Sequence, residues 1–229
     1  VNSSPTDISG KGNHGAFIGD VSYSPSDKAY LIGTTGTNGA VTGTLKNSGD
    51  IDISVSAWVK MTSGYALNPE IAFFVGGNSS RAGIGFDIYA NGKLYWYTHS
   101  GINLYHATAA TQIFSASKWV HVVGTRTGAT LKLYINGEDY TPNMSLLSST
   151  LTLTLPASAP YTIGGRGTAP RGFNGSVSNF KVYSVALEPS EVKKLYNLGR
   201  TGRSMVISDT AVGIGKVPEA QLDVRGVLK

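Results

Sequence analysis

The chain has 229 residues, only 14% of them charged, with a formal charge of +5 and no cysteine. The missing Cys excludes a disulfide framework, a thiolate metal site and a cysteine nucleophile, and no apolar run reaches the roughly 18 residues of a membrane-spanning helix. Lys193-Lys194 with Arg200 and Arg203 make too small a basic cluster for a nucleic-acid footprint.

In chain order, the start at Val1-Asn2-Ser3 without an initiator Met reads as a piece of something longer. Glycines from Gly10 to Gly43, spaced by Ser, Thr and Asn, predict short strands and turns. Ile53, Val55, Ala57 and Val59 alternate with Ser54, Ser56, Trp58 and Lys60, which predicts a strand. Trp58 on its second face predicts that this face is covered as well, as in a sandwich. Runs at 71–75 and 82–89 follow, then Asn91-Gly92, which predicts a type I′ hairpin turn into 93–97.

The pattern repeats in 119–123, Thr127-Gly128, 131–135 and a second turn at Asn136-Gly137. Runs at 161–165 and 172–183 give the final strands. A helix is predicted from Glu188 to Tyr196, with Pro189 and acids at its start, Lys193 and Lys194 near its end and Gly199 as its stop. About a dozen strands with one helix predict an all-β sandwich.

Several ordered segments carry a family resemblance: Asp7-Ile8-Ser9-Gly10-Lys11-Gly12-Asn13-His14-Gly15, Ser56-Ala57-Trp58-Val59, Lys118-Trp119-Val120-His121-Val122, Leu133-Tyr134-Ile135-Asn136-Gly137, Tyr161-Thr162-Ile163-Gly164-Gly165 and Phe173-Asn174-Gly175-Ser176. Over residues 5–198 the chain resembles the laminin-G-like, concanavalin A-like jelly-roll domains of the lectin/glucanase superfamily. The resemblance implies two antiparallel sheets of about six or seven strands each, within a domain at 1–199. Residues 200–229 form a separate tail. Its stretch Val212-Gly213-Ile214-Gly215-Lys216-Val217-Pro218 resembles a segment of phage and large-virus fibre proteins. It reads as a small β element without partner strands of its own, serving oligomerisation or linking to a downstream domain.

Glycosidases of the resembled superfamily carry a Glu-x-Asp-x-x-Glu strand motif, and Glu70, Glu138, Glu188, Glu191 and Glu219 lie in no such motif. The four His (14, 99, 106 and 121) lack metal-ligand spacing, so the chain is expected not to be an enzyme. The resemblance implies a structural calcium between Asp7 and the final strand, where Asn179 replaces the expected acid. Capping of its own turn by Asp7 is the competing reading. Sugar binding needs aromatic faces ringed by fixed polar groups. The candidates are Tyr65, Arg81, Trp96, His99, Tyr105, His106, Arg166 and Arg171, with Tyr95 and Tyr97 beside Trp96.

These readings converge on a non-catalytic, lectin-like module of a viral or phage fibre that recognises host-surface glycan. It is expected at the virion surface or outside the cell, as a homotrimer in contact with other virion proteins. Neither nucleic acid nor membrane is an expected partner. A purely structural spacer of the virion and an extracellular adhesion module are the alternatives.

Overall fold

Alternating apolar and polar side chains give each strand one face to bury, and the chain buries those faces between two layers. The computed structural model describes residues 4–33, 39–46, 52–62, 73–76, 83–88, 92–99, 104–109, 112–141, 144–146, 155–165, 173–200, 205–207, 212–214 and 222–224. The strands begin with β1 (Gly15–Gly19), β2 (Val21–Ser24), β3 (Ala29–Ile32), β4 (Gly39–Lys46), β5 (Ile53–Met61) and β6 (Phe73–Gly76). They continue with β7 (Gly83–Ile88), β8 (Leu94–His99), β9 (Leu104–Ala109), β10 (Trp119–Thr127), β11 (Thr130–Ile135) and β12 (Glu138–Asp139). After β13 (Met144–Leu146), β14 (Ser158–Ile163) and β15 (Gly175–Tyr183) comes the helix α1 (Pro189–Arg200). The tail holds β16 (Met205–Ile207), β17 (Val212–Ile214) and β18 (Leu222–Val224).

One sheet has eight strands in the order β1-β4-β14-β6-β7-β8-β9-β13, and the other has seven in the order β12-β11-β10-β5-β15-β3-β2. The sandwich is thus slightly wider than the resemblance implied. Ile53, Val55 and Val59 of β5 share one core with Ile84, Phe86 and Ile88 of β7 and with Leu94 and Trp96 of β8. The Trp96 indole joins the layers, because its N–H donates to the Thr125 carbonyl on the opposite sheet at 3.0 Å. Gly124 makes room for that ring, since a Cβ at this position would lie 2.6 Å from Trp96 Cε2.

The second face of β5 is covered, as Trp58 predicted, but by α1 rather than by a sheet. The Trp58 and Tyr196 rings stack with centroids 5.6 Å apart, and Val192 and Leu187 pack on Val123 and Tyr134. Ser54 fixes the approach to the helix. Its hydroxyl donates to the Val185 carbonyl at 2.7 Å and accepts the Leu187 N–H at 2.8 Å. Pro189 takes the first helical position, and the Glu188 N–H donates to the Glu191 carboxylate at 2.8 Å. Gly199 is not the stop. It lies in the last turn, where a Cβ would collide with the Trp58 indole.

Asn136 and Gly137 have φ of 52° and 81°, as a type I′ turn requires. The other Asn-Gly behaves differently. Ile88 pairs with Leu94, a register that a two-residue turn at Asn91-Gly92 would not give; Asn91 itself lies outside the described residues. In the tail, β16 pairs antiparallel with β17, and β17 pairs parallel with β18. The tail strands therefore do partner one another.

Candidate functional site

A sugar site on a sandwich needs rings and polar groups turned away from the core. Ile84, Phe86, Ile88, Leu94 and Trp96 all point into the core. Strand alternation therefore turns Gly83, Gly85 and Asp87 of β7, with Tyr95 and Tyr97 of β8, to the outer face of the eight-stranded sheet. Asp87 lies opposite Tyr95, and Gly85 opposite Tyr97. The two glycines add no side chain to this face, and β7 is buried along its whole length. Asp87 and Tyr97 are sheltered, at 8% and 5% exposure, while Tyr95 is half-buried. A carboxylate can accept two hydroxyl groups at once, and a tyrosine offers both a ring face and a hydroxyl.

The sequence candidates distribute unevenly around this face. Trp96 is a correction: it is fully buried, packed at a tilt against Phe86 with 4.6 Å between ring centroids, and cannot meet a ligand. His99 pairs with Leu104 of β9 on one side and with Gly83 of β7 on the other. Tyr105 pairs with Thr98 and His106 with Tyr97, so these two fall on opposite parities of the ladder. Tyr65, Arg81, Arg166 and Arg171 lie outside the described residues. Asp87 was missed by sequence reasoning. Its signal was the alternation of Ile84, Phe86 and Ile88 with glycines, which leaves Asp87 alone on the second face.

The N-terminal loop follows the turn-cap reading. Asp7 Oδ1 accepts the Ser9 N–H at 2.9 Å and Oδ2 accepts the Asn13 N–H at 2.8 Å. Burial pushes the carboxyl up, but hydrogen bonds from Ser9 and Asn13 and the nearby His14 outweigh it and hold the pKa below the ordinary value. Asn179 sits at a φ of 49° where β15 shifts register between Ser178 and Lys181. Calcium takes about six to eight oxygen ligands. Here the single carboxylate already holds two amides, and among the described residues no three His, Cys, Asp or Glu side chains could hold a metal. Asp7 and Asn179 do not fit a complete calcium site.

A second polar group lies beneath α1. Ser56 Oγ and His121 Nε2 are 3.0 Å apart, and the residues are 2% and 1% exposed. Burial, and secondarily the charge of Lys181, lower the His121 pKa to about 4. So weak a base under a helix is not suited to activate a serine nucleophile. Sequence reasoning missed this pair, whose two members lie 65 positions apart on paired strands.

Among solved structures, one of botulinum neurotoxin type C, whose cell entry depends on interaction with two ganglioside molecules, superposes with a TM-score of 0.62 at 16% identity. The match covers 91% of this chain but only 58% of that one. Domain 4 of AbnA, a GH43 extracellular arabinanase from Geobacillus stearothermophilus in complex with arabinotriose, gives a TM-score of 0.56 at 20% identity, covering 84% of this chain and 86% of that one. The binding domain of Paraclostridial Mosquitocidal Protein 1 gives 0.62 at 16% identity, covering 88% and 51%. At these identities the likeness is one of fold. No curated protein matches the sequence. A family model described as the concanavalin A-like lectin/glucanases superfamily matches residues 34–193. The chain belongs to the concanavalin A-like lectin/glucanase superfamily.

Proposed function

We propose that the chain is a non-catalytic glycan-binding module whose ligand contacts the outer face of β7 and β8. The observation that carries this reading is Asp87 set beside Tyr95 and Tyr97, where Gly83 and Gly85 add no side chain. The complex of the arabinanase domain with arabinotriose and the ganglioside dependence of the neurotoxin support the ligand class. The described glutamates support a non-catalytic role. Glu138 pairs with Lys193, and Glu188 and Glu191 cap α1, so none of them faces Asp87 as the second carboxylate of a glycosidase.

A glycan array on the multimerised chain tests the reading. Binding should fall roughly 10- to 100-fold in Asp87→Asn or Tyr95→Ala, as expected for the loss of a charge-assisted hydrogen bond or a ring contact. Absence of binding to every glycan on the array overturns the function. Undiminished binding in both variants moves the site elsewhere on the molecule.

We further propose that the chain is a fibre module at the virion surface, binding host glycan as a homotrimer. The resemblance of the tail to fibre segments supports it. So does the tail register, in which Met205, Ile207, Val212, Ile214, Leu222 and Val224 occupy matched positions while Val206, Gly213 and Asp223 occupy the alternate ones. Strands this short need apolar cover from elsewhere, and linked copies raise avidity about 10²–10⁴-fold. Sedimentation of the full chain should show a trimer, and a chain ending at Arg200 should run as a monomer. Two monomers at tens of micromolar would remove the assembly role.

A further inference from the structure

The most unusual buried group outside the glycan face is His121, in the layer between the seven-stranded sheet and α1. Its ring packs beside the Trp58–Tyr196 stack, tilted against both, with centroids 5.2 Å from Trp58 and 6.0 Å from Tyr196. The backbone around it is pinned: the His121 N–H donates to Asn136 Oδ1 at 3.0 Å, and its carbonyl accepts the Asn136 N–H at 2.8 Å. Nε2 has Ser56, but Nδ1 is buried without a hydrogen-bond partner. A neutral imidazole tolerates this, because one ring nitrogen can stay bare. An imidazolium has two N–H donors, and here one of them would have no acceptor.

The charges around the ring do not rescue the protonated form. On β15, Lys181 is itself largely buried and repels a second cation. On α1, the Arg200 guanidinium lies 6.0 Å from the Tyr196 ring centroid. The helix acids are engaged elsewhere: Glu188 and Glu191 act on Tyr134 and Tyr183, with Asp139 of β12 also beside Tyr134. Glu138 is held by Lys193. From β5 only Ser56 and the Trp58 ring meet the imidazole. Contact with two aromatic rings favours a cation somewhat, but burial beside Lys181 outweighs it.

We propose that the His121 layer is an acid-responsive latch: protonation of this imidazole undocks α1 from the sheet while the sandwich stays folded. Undocking exposes the ring to water and restores its ordinary basicity, so the open state binds the proton better than the closed one. Docking is therefore at full strength above pH 6.5, the ordinary value, and weakens as pH falls toward about 4, the value in the closed state. Below that the penalty is constant. The latch operates whether or not the chain binds glycan.

Hydrogen exchange of the full chain, corrected for intrinsic rates, reads the latch directly. Between pH 7 and pH 4.5 the amides of α1 should lose roughly a hundredfold in protection, since two pKa units are a hundredfold in equilibrium, while those of β5 and β10 keep theirs. His121→Gln, which can still bond Ser56, should hold α1 protection flat across that range. An NMR titration of the wild-type imidazole should show it neutral down to about pH 4. This second readout stands even if the variant fails to fold. Unchanged α1 protection in the wild type, an equal loss in His121→Gln, or an imidazole titrating near 6.5 overturns the latch.

Discussion

Gly124→Val should be among the most damaging single changes in the sandwich. Its side chain would enter the space occupied by the Trp96 ring, where even a lone Cβ lies 2.6 Å from Cε2. The ring has little room to retreat, being fully buried, packed against Phe86 and hydrogen-bonded through its N–H to the Thr125 carbonyl. Overpacking costs about 1–3 kcal/mol, and loss of the indole hydrogen bond with a buried donor left bare adds about 1–3 kcal/mol. The expected total is about 4 kcal/mol, or on the order of 10 °C in Tm for a domain this size. Urea and thermal melts check it. A melting point within about 2 °C of wild type would mean that Trp96 is free to move away from β10.

Ser54→Ala should act more locally but almost as strongly. The hydroxyl is fully buried and serves two backbone groups, the Val185 carbonyl and the Leu187 N–H. Removing it leaves both without their partner at a cost of about 1–3 kcal/mol each, unless the segment frays and lets water in. The expected result is therefore weakened docking of α1 at every pH, by about 2–4 kcal/mol, with the β-sheet amides unaffected. Hydrogen exchange resolves this. Full α1 protection in Ser54→Ala would show that the Trp58–Tyr196 stack alone holds the helix.

The fold was legible because β5 and β10 alternate cleanly, and a period of two admits one buried set. What covers a second face is not written in the strand. Trp58 announced a cover, but a ring packs equally well against a helix or a sheet. Gly199 was ambiguous for a similar reason, because a glycine near a helix end serves either a left-handed stop or a close approach, and here it makes room for Trp58.

The candidate site turned on register. A two-residue turn at Asn91-Gly92 would set Phe86 opposite Tyr97, whereas the observed pairing sets Phe86 opposite Trp96. That single step decides whether the tryptophan or the tyrosines enter the core, and no local propensity fixes it. Asp87 stayed hidden for the same reason, since its face is defined only once β7 and β8 are paired. The Ser56–His121 contact lay further out of reach, because it depends on which strands become neighbours.

The order of elements at the C-terminal end also sets how the domain would bear mechanical load. A pull on residues 201–229 reaches the sandwich first at α1, where the Ser54 clamp and the Trp58–Tyr196 stack resist it. Beyond the helix the force arrives at β15, which is bonded on one side to β5 and on the other to β3. An edge strand under tension can peel away one hydrogen bond at a time, but an interior strand must shear two ladders together. Traction through the tail would therefore release the helix well before it tore the sheet, making α1 a yielding element in series with a stiff one.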